Sequence, residues 1–239
     1  MPEDARSYRR LLDHVERELQ AGRLRQADRL PSERDLATQL TMSRSSVREG
    51  LRVLQALGVV QVTAGRGRES GAVVAADTAA GLTTALRLHL ASATFPVSHI
   101  VATRVALESW SSAEAARRAA SSRPDRPTEQ ALVEADRLVG AMADRTLDRD
   151  RFFALDSDFH AAIAKAAGNE VLAAVMASLR NSIAGYVIGS HIEDWPRTMR
   201  RLYTQHAAIL AAVRAGDDAL ATRRMVAHIE GFYRTAQVR

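Results

Sequence analysis

Residues 30–58 constrain the fold of this chain more than any other stretch. This stretch has the sequence LPSERDLATQLTMSRSSVREGLRVLQALG, which predicts two short helices joined by a tight turn. Ser32 and Ser43 each precede one helix, where a serine side chain can accept a hydrogen bond from a backbone N–H of the first turn. Apolar residues recur at helical spacing along the second helix and predict one buried stripe: Val47, Leu51 and Leu54.

The polar residues that begin the second helix lie off this stripe: Arg44, Ser45 and Arg48. A helix that buries one face and exposes arginine and serine near its start has the form of a helix that reads the DNA major groove. Arginine there can bond guanine in bidentate fashion. A small amphipathic pair of helices with a solvated basic face would show the same pattern, so the flanking residues must decide.

A β-hairpin is predicted directly after the second helix. Val59–Thr63 is a β-branched run suited to a strand, and Ala72–Ala75 is a second strand. The glycine-rich turn between them carries Arg66 and Arg68. Helix, turn, helix and basic hairpin together predict a winged helix-turn-helix, whose hairpin tip would contact phosphates or the minor groove.

Residues 30–74 resemble the DNA-binding domain of the GntR family of bacterial transcription regulators. The resemblance is carried by Leu30–Ala37, Ser43–Glu49, Leu54, Gly58 and Gly65–Gly67. It implies that the chain binds double-stranded DNA, with contacts from these residues: Arg34, Arg44, Ser45, Arg48, Gly65, Arg66 and Gly67. One departure lies outside the contacts, because residues 26–28 are Gln-Ala-Asp where the family often has Pro-Gly-Asp.

Composition limits the class of protein. The 239 residues, 46% of them hydrophobic, suffice for two domains, which we expect at 1–75 and 76–239. The absence of cysteine excludes disulfides and thiolate metal sites. No apolar run approaches the roughly 20 residues of a membrane helix and no signal peptide begins the chain, so we expect a cytoplasmic protein without a membrane partner. The net charge of +5 suits a polyanionic partner.

The remaining sequence is helical in pattern. Tyr8–Gln20 is predicted as the first helix of the winged domain. Seven alanine-rich helices are predicted after the strands: 78–93, 98–120, 128–145, 150–167, 170–189, 196–215 and 218–237. The expected fold class is mainly α, an N-terminal winged helix-turn-helix followed by an all-α seven-helix bundle.

Four polar residues of the bundle have the spacing of a metal site. Asp156 and His160 lie one turn apart on one helix face, where they can share a divalent ion, although a structural ion pair explains them as well. The last two helices should turn at residues 216–217, and His206 and His228 lie ten and eleven residues from that turn. At about 1.5 Å per residue both are about 15 Å away, so they should be level.

These residues resemble the C-terminal ligand-binding domain of the FadR subfamily of GntR regulators. Its metal-binding branch uses one aspartate and three histidines, which implies these metal ligands: Asp156, His160, His206 and His228. Zinc is the expected ion, with nickel or manganese as alternatives. Arg104 also matches, and the resemblance implies that it binds the carboxylate of an effector acid. The alternative for Arg104 is a salt bridge to Glu108, for which we expect a structural role, while Arg180 and Asn181 could line the cavity on position alone.

The pattern as a whole predicts a transcription regulator, expected to be a repressor. It would bind a palindromic operator as a homodimer and respond to a small carboxylic acid held at the metal. Two alternatives stay open: the metal itself is the signal, or the chain is a metalloenzyme with a DNA-binding domain. Against an enzyme, no general base stands beside the four ligands, because Asp158 points elsewhere on its helix.

Overall fold

The computed structural model of this chain describes residues 3–63, 71–75, 79–91, 96–122, 125–188, 192 and 194–235. The chain divides into two compact units, residues 1–84 and 85–239. The domain boundary expected between residues 75 and 76 remains a prediction.

Three helices and a two-stranded antiparallel sheet come first: α1 (Glu3–Gln20), α2 (Glu33–Gln39), α3 (Arg44–Ala56), β1 (Val60–Thr63) and β2 (Gly71–Val74). These elements confirm the predicted helix-turn-helix and strand pair. Helix α1 begins five residues before Tyr8, where the sequence placed its start. The hairpin tip lies outside the described residues, and with it these predicted contacts: Gly65, Arg66 and Gly67, together with Arg68.

Serine caps begin both helices of the helix-turn-helix, as predicted. Ser32 Oγ accepts a hydrogen bond from the N–H of Asp35 at 3.2 Å, and Ser43 Oγ accepts one from the N–H of Ser46 at 3.0 Å. Such a cap stabilises a helix by about 1 kcal/mol. The apolar stripe of α3 packs into one core with residues from the neighbouring elements: Leu11, Leu36, Val47, Leu51, Leu54 and Val74. The polar side of α3 is thereby left on the surface.

The turn before α2 contains a strained residue. Ala27 has a φ of 68°, in the left-handed region that costs an L-residue about 1–2 kcal/mol. Its N–H donates to the carbonyl oxygen of Val74 at 3.1 Å, which ties the turn to β2. This is the turn in which the sequence departs from the Pro-Gly-Asp pattern, so an alanine occupies a conformation that glycine adopts more easily.

Seven helices follow in the described part of the chain: α4 (Ala79–Ala91), α5 (Val97–Ala119), α6 (Arg126–Met142), α7 (Arg149–Ala166), α8 (Glu170–Ile188), α9 (Trp195–Arg214) and α10 (Asp218–Thr235). Each boundary lies within three residues of the predicted one, which confirms the fold class. Large apolar side chains of several of these helices share one core: Leu132, Phe152, Phe159, Ile209 and Met225. None of the helices in the described ranges is long and apolar enough to cross a membrane.

Candidate functional site

Three helices of the C-terminal unit bring four potential metal ligands together. Helix α7 carries Asp156 and His160, α9 carries His206, and α10 carries His228. One ligand atom of each residue lies within 4.8 Å of the others, and all four side chains are buried. Zinc bonds to nitrogen and oxygen are about 2.0–2.2 Å long and tetrahedrally arranged, so the ligand atoms around one ion lie about 3.4 Å apart. The cluster therefore has nearly the size that one divalent ion requires.

The turn between α9 and α10 sets two of these residues level, as the sequence predicted. Gly216 has a φ of +72° at this turn, and the ring centroids of His206 and His228 lie 4.5 Å apart. The fully buried rings of Phe152 and Phe159 flank His206, with centroids at 6.5 and 4.8 Å. Apolar walls of this kind exclude water and strengthen the electrostatic interactions inside them.

The rings of His160 and His228 present the same nitrogen to each other. Their Nε2 atoms lie 3.2 Å apart in a buried position. On the other side of each ring, Nδ1 meets an oxygen: Gln205 Oε1 lies 3.0 Å from His228 Nδ1, and Glu108 Oε2 contacts His160 Nδ1. When each Nδ1 carries its hydrogen toward that oxygen, both Nε2 atoms direct lone pairs at one place. Lone pairs that converge in this way fit a shared cation.

His206 has buried polar atoms that its described neighbours leave without hydrogen bonds. Its Nε2 lies 3.0 Å from Asp156 Oδ1 but outside the angular range of a hydrogen bond, and its Nδ1 has no partner among the described residues. An unsatisfied buried polar group costs about 1–3 kcal/mol. A cation beside Nε2 and the Asp156 carboxylate would remove that cost, so the residues present fit a divalent metal ion.

Two buried carboxylates at the cluster are ionised. Burial alone raises the pKa of Asp156, but the charge of Arg180 and the contact with His206 outweigh this effect and hold the pKa well below its usual value. Burial also raises the pKa of Glu108. The charges around Glu108, that of Arg104 first, outweigh this effect and hold the pKa well below its usual value. Both side chains therefore carry negative charge at neutral pH.

Two of the histidines are neutral at pH 7. Burial and the charge of Arg180 lower the pKa of His160 to about 4, against the opposing effect of Glu108. Burial, followed by the neighbouring His206, lowers the pKa of His228 well below its usual value. Neutral imidazole is the form that binds a metal ion, so both rings are ready to act as ligands.

Arg104, the residue matched to an acid-binding role, is buried and paired. Its Nε lies 2.6 Å from Glu108 Oε1, and its Nη1 donates to the hydroxyl of Tyr233 at 3.0 Å. The alternative drawn from the sequence, a salt bridge to Glu108, is therefore present. Both side chains of this pair are at most 5% exposed.

Arg180 is a second buried arginine at the cluster. Its Nη2 pairs with Asp156 Oδ2, and its Nη1 lies 3.5 Å from Glu108 Oε1. Neither Nε nor Nη1 of Arg180 has a hydrogen-bond partner within the described ranges. Buried N–H donors without acceptors are groups that a bound carboxylate would satisfy.

Two further contacts to the cluster were not found by sequence reasoning. Glu108 was expected to be structural only, and it also contacts His160. Gln205 was not singled out at all, and it contacts His228 across the α9–α10 pair. Nothing in the sequence marks Gln205, because a glutamine beside His206 has no spacing that would reveal a partner on another helix.

The predicted DNA contacts that the structure describes lie on the surface of α2 and α3. All of them are exposed: Arg34, Arg44, Ser45 and Arg48. The Nη2 atom of Arg48 lies 3.0 Å from Glu33 Oε2, in a pair that stays largely exposed. The buried stripe of α3 lies on its other side, so the arrangement leaves the N-terminal end of this helix free to enter a groove.

Comparison with known proteins matches both halves of the chain to families. The model of the FCD domain matches residues 99–231, and the model of bacterial regulatory proteins, gntR family, matches residues 7–69. Over 219 residues the chain is 30% identical to the HTH-type transcriptional regulator LutR of Bacillus subtilis, which covers 87% of this chain and 91% of LutR.

Further relatives agree with this match. The chain is 29% identical over 226 residues to the HTH-type transcriptional repressor NanR of an Enterobacter species, covering 92% of this chain and 83% of the relative. Among solved structures, Streptococcus agalactiae GntR aligns with a TM-score of 0.61 at 22% identity, covering 97% of this chain and 99% of that one. This last likeness concerns the fold alone.

Proposed function

This chain belongs to the gntR family of bacterial regulatory proteins, and we propose that a small organic acid bound at a divalent metal ion controls its binding to DNA. It is a transcription regulator with an FCD domain. Its relatives are DNA-binding regulators and not enzymes, which confirms the expectation that this chain is not an enzyme. The effector, the metal and the direction of control belong to the proposal.

DNA binding would use α3 in the major groove. Arg44, Ser45 and Arg48 would meet base edges, because they are exposed near the start of α3. Arg34 and the hairpin tip at residues 65–67 would contact the phosphate backbone of the DNA and fix the orientation of the domain on it. One such helix reads too few base pairs for useful specificity, so a homodimer on a palindromic operator is the expected complex.

The observation that carries the metal proposal is the buried convergence of four ligand atoms within 4.8 Å. The ligands would be Asp156, His160, His206 and His228. Zinc suits a set of nitrogen and oxygen donors, and nickel or manganese remain alternatives. When bound, the ion supplies a positive centre to which a carboxylate oxygen can bind.

The charges around the cluster favour an acidic effector. The positive charges of Arg104 and Arg180 balance the negative charges of Asp156 and Glu108, and His160 and His228 are neutral. A divalent ion would bring this buried group of charges to about +2, and an uncompensated buried charge is costly. A small carboxylate would offset the ion and accept hydrogen bonds from the unpaired donors of Arg180. Arg104 would be the second arginine for the acid.

An acid that binds one arrangement of the protein better than another shifts the population toward it and so changes operator affinity. We propose that the chain acts as a repressor, like the transcriptional repressor NanR to which it is similar. The relatives also include the Glc operon transcriptional activator of Escherichia coli, so the direction of control is part of the test.

The experiment begins with selection of an operator from random DNA by the full-length chain. Gel shifts on that operator then compare zinc-loaded protein with and without a panel of small carboxylic and hydroxycarboxylic acids. One acid should change operator affinity in wild type and not in the His206→Ala/His228→Ala variant. An affinity that follows zinc occupancy without any acid would support the metal as the signal. An affinity that responds to neither would contradict the proposal.

A further inference from the structure

Glu108 contacts three functional side chains of the cluster at once. Its Oε1 lies 2.6 Å from Arg104 Nε and 3.5 Å from Arg180 Nη1, and its Oε2 contacts His160 Nδ1. The partners come from α5, α8 and α7, and the Glu108 side chain is 3% exposed. One buried carboxylate is therefore shared between a metal ligand and both arginines that would meet an acid.

The contact with His160 selects the nitrogen that the ring offers to a metal. A neutral imidazole that carries its hydrogen on Nδ1 has its lone pair on Nε2. Glu108 Oε2 contacts Nδ1 outside the angular range of a hydrogen bond, and the negative oxygen favours a hydrogen on that nitrogen. The Nε2 lone pair is then left for the space shared with His228.

Gln205 provides a natural comparison for this arrangement. Its Oε1 lies 3.0 Å from His228 Nδ1. It therefore favours a hydrogen on Nδ1 of His228 and leaves the lone pair of Nε2 for a metal, as Glu108 does for His160. Gln205 is uncharged, whereas Glu108 pairs with Arg104 and Arg180. The site thus contains two orienting residues, and Glu108 is the charged one that also contacts these two arginines.

We propose that Glu108 is a positioning residue that links the metal ligands to the acid-binding arginines. The inference rests on the proposed metal and acid control. An acid that binds Arg104 or Arg180 would weaken the ion pair between that arginine and Glu108. The Glu108 carboxylate would then interact more strongly with the N–H of His160. A carboxylate that holds this N–H more strongly makes Nε2 a better metal ligand. Metal and acid therefore bind with positive coupling, part of which passes through Glu108.

The orientation is tested on the metal-free full-length chain by ¹⁵N NMR of the histidine rings. In wild type, His160 and His228 should both carry the hydrogen on Nδ1. Glu108→Ala, which removes the oxygen acceptor, should remove this preference at His160 only, and Gln205→Ala should remove it at His228 only. An Nε2-bound hydrogen on wild-type His160, or a His160 signal unchanged by Glu108→Ala, would overturn the assignment.

The coupling is tested by zinc affinity, measured by competition with a chelator, with and without saturating acetate as the probe. Loss of an orienting partner typically weakens metal binding by about 10–100-fold, so Gln205→Ala should bind zinc more weakly. Glu108→Gln keeps an oxygen for His160 Nδ1 but removes the negative charge, so it should also bind zinc more weakly than wild type. Acetate should tighten zinc binding by the same factor in wild type and Gln205→Ala, and by a smaller factor in Glu108→Gln. Equal factors in all three proteins, or no effect of acetate on wild type, would overturn the coupling.

Two controls keep these outcomes separate. If Glu108→Ala does not fold, Glu108→Asp keeps the charge and withdraws the carboxylate by one methylene, and the same shifts are expected at His160. If wild type shows the expected ring hydrogens and binds no zinc, the proposed function fails while the orienting contacts stand. If wild type binds zinc, but its His160 carries the hydrogen on Nε2 in the metal-free state, the inference fails while the proposed function stands.

Discussion

The Nε2 atoms of His160 and His228 lie 3.2 Å apart, although the two residues are separated by 68 positions in the sequence. Each ring has an oxygen at its opposite nitrogen. With a hydrogen on both Nδ1 atoms, the two Nε2 lone pairs face each other, which is electrostatically unfavourable by itself and favourable around a cation. A shared cation would account for the burial of all four candidate ligands, and it leads to the following predictions.

Metal removal should destabilise the protein. A ligand that binds only the folded state stabilises it by about 2.7 kcal/mol at a concentration 100-fold above its Kd. Zinc added to chelator-treated wild type should therefore raise its unfolding temperature in calorimetry. His206→Ala should lose this response, and His99→Ala, which removes an exposed histidine outside the cluster, should keep it. An equal response of both variants would argue against the cluster as the site.

Lowering the pH should destabilise the metal-free protein before the carboxylates are protonated. The pKa of His160 falls from 6.5 to about 4 on folding, so between these values the unfolded chain binds more protons than the folded one. The free energy of unfolding should then fall as the pH is lowered through this window, by up to about 3 kcal/mol from this residue. The lowered pKa of His228 acts in the same direction.

Urea denaturation of chelator-treated protein at about pH 7 and about pH 4.5 measures this dependence. His160→Gln should flatten it, because the group that gains a proton on unfolding is gone. A wild-type profile that stays flat over this range would contradict the assignment of His160 as a buried neutral ring.

The start of α3 should determine DNA specificity. Arg44→Ala and Arg48→Ala should each weaken operator binding by about 10-fold to 100-fold or more, since a good contact to a base contributes about 1–3 kcal/mol. Arg52→Ala is the matched control, because Arg52 is also exposed on α3 but lies one turn further from its start. Gel shifts with the selected operator test this order. Similar losses in all three variants would indicate a general charge effect.

Ala27→Gly should stabilise the N-terminal unit. Glycine adopts a φ near 68° without the strain of a side chain, and its greater freedom in the unfolded chain offsets part of that gain. The expected net gain is about 0.5–1 kcal/mol in the free energy of unfolding. Ala37→Gly, inside α2, should instead cost about 1 kcal/mol. A loss of stability in Ala27→Gly would show that the turn does not carry this strain.

Local patterns in the sequence were enough for the elements and for the four-residue cluster. Periodic apolar residues such as Val47 and Leu51 predicted the buried face of α3. The distance of His206 and His228 from one turn predicted that they would be level, because a helix has a fixed rise per residue. The fold and the candidate ligands followed from these regular features.

The partners around the cluster could not be predicted in the same way. Whether Glu108 faces solvent or His160 depends on α5 packing against α7 and α10, which no local pattern encodes. The contact from Gln205 to His228 depends on one side-chain conformation across a pair of helices. Arg180 was placed near the cavity by its position in the sequence, and its pairing with Asp156 emerged only in three dimensions.

The metal content of the purified protein shows whether the four residues hold an ion. The full-length chain is prepared without a histidine tag and without added metal, beside the His206→Ala/His228→Ala variant, and both are analysed by elemental mass spectrometry. We expect about one divalent ion per chain in wild type and its loss in the variant, because the site is a single one with four protein ligands. Wild-type protein without metal that also fails to take up added zinc, nickel or manganese would contradict the metal site.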